Sequence, residues 1–102
     1  MDLTGARDFI ERHGITTVIA GGPDQVGTFR GKRYTADYFL ATAAKGFRMP
    51  WTILNTGPMD DAAPGVFDGG LGDVKGVPDL STLRLAPWEP DTAMALFEWR
   101  WP

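Results

Sequence analysis

The chain has 102 residues, a formal net charge of −3 and no cysteine. That length supports one domain with a real core and is too short for two ordinary ones. With 43% apolar residues, four Trp and six Phe, disorder is excluded, the acidic balance argues against a nucleic-acid binder, and the lack of cysteine removes disulfides, thiolate metal sites and thiol nucleophiles.

In chain order, residues 4–13 predict a helix. Ala6, Phe9, Ile10 and His13 fall on one face, Asp2 or Thr4 can cap its start, and Gly14 stands where a terminating glycine belongs. Residues 15–20 are β-branched and predict a strand, with Gly21-Gly22-Pro23-Asp24 as its break. Residues 25–29 then read as a second strand, and Arg30-Gly31-Lys32-Arg33 as a hairpin turn. A second helix is expected over 35–44, capped by Thr35, with Ala36, Phe39, Leu40 and Ala43 as its apolar stripe and Lys45-Gly46 as its stop. Residues 51–55 form a short β-prone run after Pro50. Residues 56–72 hold Gly, Pro and Asp without an apolar period, and predict a long loop. Residues 73–77 suggest a short extended piece. Residues 81–88 suggest a strand with Leu83 and Leu85 on one face and Arg84 on the other. Glu89-Pro90-Asp91 is a turn, and 92–101 a last strand, its start buried on both faces and its end on one. The sum is an α+β domain: a mixed sheet of four or five strands with two helices over one face.

Familiar chemistry is sparse. His13, the only histidine, has no partner at metal or catalytic spacing. The Arg30–Arg33 stretch suits an anionic partner or a neighbouring subunit better than nucleic acid. Asp60, Asp61, Asp68 and Asp73 do not follow the alternate spacing of an EF-hand. Gly69-Gly70-Leu71-Gly72 lacks the Lys-Ser/Thr of a P-loop. Phe97, Trp99 and Trp101 read as core rather than as a stacking platform. No apolar run reaches the roughly 18 residues of a membrane span, and no apolar leader opens the chain. A cytoplasmic protein that touches neither membrane nor nucleic acid is expected.

Two segments carry more information. One is Val26-Gly27-Thr28-Phe29-Arg30-Gly31-Lys32-Arg33 followed by a helix. The other runs from Gly72-Asp73 through Pro78-Asp79-Leu80-Ser81-Thr82-Leu83-Arg84 to Pro87-Trp88. In order and spacing they resemble the N-terminal domain of the glutamine synthetase family, with the γ-glutamyl-amine ligases the best match. The resemblance covers Phe9 to Trp99.

That resemblance implies a single β-grasp-like domain over residues 1–102, packed in the family against the catalytic domain of the same or a neighbouring subunit in a homo-oligomeric ring. ATP, magnesium or manganese, and glutamate are held in the family by the large C-terminal domain. That domain is absent here, so this chain alone is expected to bind none of them and to lack ligase activity. It also implies that the N-terminal domain lends one loop to the shared active site. In ammonia-using members that loop carries a Phe-Asp-Gly-Ser-Ser-like motif whose carboxylate holds ammonium and helps remove its proton. Trp51-Thr52 falls at the Phe-Asp position, with Asn55 just beyond. Thr52 carries no negative charge, which points to an organic amine as substrate. Phe67-Asp68-Gly69-Gly70 offers Asp68 as the alternative position. A free-standing binding or oligomerisation module that keeps the fold without ligase activity is the competing reading, and a ubiquitin-like protein with an unrelated partner a third.

Overall fold

The computed structural model describes residues 1–50 and 73–101. The order of elements is α1 (Leu3–Arg12), β1 (Thr17–Pro23), β2 (Phe29–Thr35), α2 (Ala36–Thr42), β3 (Phe47–Pro50), β4 (Asp73–Leu85) and β5 (Thr92–Arg100). The five strands form one sheet in the order β2-β1-β5-β4-β3. Its centre is the parallel pair of first and last strands, with Val18 opposite Ala93 and Ala20 opposite Ala95. All other pairings are antiparallel. This is the expected mixed α+β design.

Both helices start and stop where their caps dictate. The Asp2 carboxylate accepts the Gly5 N–H at 2.8 Å, satisfying an amide that lacks an intrahelical partner. The hydroxyl of Thr35 does the same for Tyr38 N–H at 3.2 Å. Gly14 and Gly46, at φ 63° and 88°, end the helical segments in the left-handed region that glycine tolerates. Ala6 and Ile10 of α1 and Ala36, Phe39 and Leu40 of α2 are buried, so both helices cover the same sheet face as Val18, Ala20, Val74, Ala93, Ala95 and Phe97.

The sheet is curled. Neighbouring strands lie about 4.8 Å apart, so the edge strands of a flat five-stranded sheet would be roughly 19 Å from each other. Yet the ring of Tyr34 on edge strand β2 lies 4.5 Å from that of Phe47 on the opposite edge strand β3. Phe47 also stacks on Phe39 at 5.7 Å and on Phe97 at 5.2 Å, joining helix, edge and centre in one aromatic column.

Several expected boundaries need correction. Gly21-Gly22-Pro23 does not break β1, which runs through to Pro23. Residues 25–28 form the turn, with Gly27 at φ 84°, and Arg30–Arg33 lies inside β2 rather than at a hairpin tip. The cause is close backbone approach. A Cβ on Gly21 would sit 2.2 Å from the Arg30 carbonyl oxygen, and one on Gly31 2.4 Å from that of Ala20. Trp99 lies over Gly22 and donates its indole N–H to the Pro23 carbonyl at 2.9 Å. These glycines make room for a strand and an indole.

Phe47–Pro50 is a strand that the sequence reading passed over, although its inward Phe47 and Met49 alternate with outward Arg48 and Pro50. Residues 73–85 form one long strand rather than two pieces. Leu85 does not share the buried face of Leu83, and Trp88 stands in the turn beyond, 62% exposed. In β5 burial on both faces is confined to the first residues, Thr92 and Ala93; beyond them Ala95 is inside, Met94 is half-buried and Leu96 is exposed. Trp101 is exposed as well, so of the aromatic run only Phe97 is true core.

Candidate functional site

The motif that carried the resemblance turns out to be a structured bulge. Between Asp79, opposite Leu96, and Arg84, opposite Met94, β4 advances five residues while β5 advances two. The four residues Leu80 to Leu83 stand opposite the single residue Ala95. The Asp79 carboxylate accepts from the Ser81 N–H at 3.0 Å and from its hydroxyl at 2.6 Å. These bonds, that from the Ser81 hydroxyl foremost, hold the Asp79 carboxyl below its ordinary pKa. Thr82 spans the gap: its hydroxyl donates to the Asp79 carbonyl at 2.6 Å and accepts the Leu96 N–H at 2.8 Å. A side chain thus stands in for the ladder acceptor that the bulge removes.

The other matched segment is organised by Asp24, which the sequence reading treated only as part of a break. Its carboxylate is buried and accepts the Val26 and Thr28 N–H groups, both at 2.9 Å, and the Arg30 Nε–H at 3.0 Å. Burial pushes this carboxyl up, but the Arg30 bond and the two amides outweigh it, and its pKa lies below the ordinary value. The signal was present in sequence as an Asp two and four residues before the amides of a glycine turn.

Of the proposed site residues, Trp51, Thr52, Asn55 and Asp68 lie outside the described residues, as does the loop predicted over 56–72. Their anchors are described. Pro50 at the end of β3 pairs with Asp73 at the start of β4, so the 51–72 connection leaves and re-enters the sheet at one point. Beside that point is a cleft of about 350 Å³ lined by Arg48, Asp73, Val74, Lys75, Arg100 and Trp101. Arg48 and Asp73 face each other there at 3.9 Å, both largely exposed.

A second, more cationic groove of about 430 Å³ adjoins it, sharing Arg48 and Lys75. Lys32 and Tyr34 of β2, Tyr38 and Thr42 of α2, Lys45, Gly46 and Phe47 complete its walls. Among the described residues that line it there is no carboxylate. The basic stretch Arg30–Arg33 contributes only Lys32 to it. Arg30 is turned inward to Asp24, and Arg33 holds Glu89 in the turn before β5 with both arms of its guanidinium. His13 is exposed at the end of α1, its ring 4.7 Å from that of Phe9. Among the described residues no group of three potential metal ligands occurs, and no helix is long and apolar enough to cross a membrane.

No family model matches the chain. Individual proteins do. A glutamate–isopropylamine ligase from a Pseudomonas species is 40% identical over 95 residues, covering 88% of this chain and 21% of the ligase. A γ-glutamylethanolamide synthetase from Streptomyces coelicolor is 34% identical over 94 residues, covering 85% of this chain and 20% of the synthetase. Two solved structures of GmaS, one without ligand and one in complex with ADP, each superpose with a TM-score of 0.69. They share 20% and 21% identity with the chain and cover 91% and 98% of it, against 20% of their own length. The chain is an N-terminal domain of the glutamine synthetase family. It spans about a fifth of the length of the curated relatives it matches. In this glutamine synthetase-family domain the two matched segments are the turn built on Asp24 and the bulge built on Asp79 and Thr82. Both secure the backbone by local hydrogen bonds.

Proposed function

We propose that the chain serves an ATP-dependent carboxylate–amine ligase as its N-terminal domain, the ligase joining glutamate or a similar acid to an organic amine. The observation that carries this reading is the 40% identity to a glutamate–isopropylamine ligase across nearly the whole chain. The second relative is likewise named for a γ-glutamyl amide of an amine.

In this reading the domain packs against a glutamine synthetase-type catalytic domain of its own or a neighbouring subunit, in a ring. ATP and its magnesium or manganese belong to that partner domain. The domain lends it the amine-side loop that begins at Trp51-Thr52, with Asn55 nearby and Asp68 as the alternative contact. Ammonium arrives as a cation that must lose a proton before its nitrogen attacks, and a carboxylate both holds the cation and accepts the proton. A threonine hydroxyl offers no such charge. Support for a loop working at this place comes from its anchoring: strands β3 and β4 are held in register at Pro50 and Asp73, so the ends of the loop are fixed.

The experiment joins this domain to the catalytic domain of the isopropylamine ligase, in place of that enzyme's own N-terminal domain, and compares ammonia with primary amines. The reading predicts amide formation with amines and weak use of ammonia, with Thr52→Asp shifting the ratio toward ammonia. Efficient ammonia use with Thr52 intact contradicts it.

A further inference from the structure

The cationic groove has no place in the ligase reading. Lys32, Lys45, Arg48 and Lys75 gather on the rim of one cavity of about 430 Å³, with Tyr34 and Tyr38 in its wall. The chain as a whole is acidic, with a net charge of −3, so this concentration is not a general property of its surface. Among the described residues no carboxylate pairs with Lys32, Lys45 or Lys75. Like charges drawn together without counter-charge repel, and an anion in the groove relieves that repulsion.

The arrangement is held in place. The stem of Lys75 lies over Gly46, where an added Cβ would stand 2.5 Å from its Cγ. Gly46 therefore does two things: it turns the chain from α2 into β3 at φ 88°, and it leaves the space along which Lys75 reaches the groove. The curl of the sheet brings Lys32 from the opposite edge to the same cavity. The rings of Tyr34 and Tyr38 are stacked with centroids 5.8 Å apart, and Tyr38 is 54% exposed. Arg48 faces Asp73 at 3.9 Å, an exposed pair that holds it only weakly against a stronger anion.

We propose that this groove binds a polyphosphate group. Four cations around a cavity of this size outnumber the charge of a simple carboxylate. A chain of two or three phosphates carries a comparable negative charge and presents oxygens in several directions to lysine ammonium groups, which bind phosphate as point charges. The phosphates come either from an inorganic polyphosphate or from a nucleotide, whose base would stack on the open face of Tyr38. The proposal is tested on this chain alone, so the ligase reading stands or falls separately.

The test is calorimetric titration of the 102-residue chain with tripolyphosphate, with ATP free of metal, and with citrate, at matched ionic strength. The proposal expects one-to-one binding of the phosphates that weakens as salt rises. Lys45→Ala and Lys75→Ala each weaken it roughly tenfold, the effect of one charge-assisted bond, while Arg12→Ala, which is not among the lining residues, leaves it unchanged. Circular dichroism confirms that each variant folds. Amide resonances of residues 32, 38, 45 and 75 shift together in wild-type protein, which checks the site without any substitution. Equal affinity for both phosphates assigns the site to the polyphosphate chain alone, and tighter ATP binding adds the stacked ring. No binding, citrate binding as tightly, or insensitivity to both lysine changes overturns the proposal.

Discussion

Thr82 shows how a family motif can be read as physics. Its hydroxyl is the acceptor for an amide of β5 that the bulge in β4 leaves without a carbonyl. Thr82→Val keeps the shape and removes the acceptor, so it should destabilise the domain by about 1–2 kcal/mol in chemical denaturation, while Thr82→Ser costs much less. Equal losses for the two would show that the methyl group, not the hydroxyl, matters. Asp24 works in the same way at the β1–β2 turn. Its folded-state pKa is depressed, so its contribution is full above the ordinary value of 3.8 and is lost as pH falls through the depressed one. Asp24→Asn should therefore be less stable at neutral pH, and the gap from wild type should close on acidification below 3.8. A gap that persists unchanged in acid would contradict the assignment. The Asp24 turn left a local signal in the sequence, but the role of Thr82 and the Arg30 contact did not. The motif letters were visible, but the bonds they make depend on Leu96, fourteen residues beyond Thr82, and on the way Arg30 folds back.

At the scale of elements, the helices were legible and the strand ends were not. Helix starts are governed by local chemistry, an Asp2 or Thr35 side chain bonding an amide three residues on, and sequence carries that in full. The apolar stripe of α2 is likewise local, and its four residues are all buried. Strand β1 runs on through Gly21-Gly22-Pro23 because of Gly31 and Trp99, which are distant in sequence. A Gly-Gly-Pro run looks like a break until its partner is known. Gly31→Ala should weaken the β1–β2 pairing by about 3 kcal/mol, because the new carbon meets backbone that cannot move aside. A thermal melt that is unchanged would refute the close approach. Phe39, fully buried and stacked on Phe47, holds α2 to the curled edge. Phe39→Ala should cost about 3–5 kcal/mol in the same assay, and a cost below about 1 kcal/mol would mean that the aromatic column is not the core.

Across the whole molecule, the curl of the sheet is what local patterns could not announce. It brings β2 and β3, the two edges, within ring contact and creates the groove that holds Lys32 beside Lys45 and Lys75. The family resemblance supplied what periodicity lacked, since the comparisons bear out both the fold and its place among glutamine synthetase-like proteins. The amine-side residues proposed from it, Thr52 above all, fall outside the described residues, so their role rests on sequence position and on the anchoring of β3 to β4. The central claim is that this chain is one working part of a ligase whose nucleotide, metal and acid sites lie in another domain. Its most direct measurement is glutamate- and amine-dependent ATP hydrolysis, with the chain alone and with the chain joined to the isopropylamine ligase catalytic domain. The account predicts no turnover from the chain alone and amine-dependent turnover from the joined protein. Turnover by the chain alone, or a folded joined protein that stays inert with every amine, would contradict it.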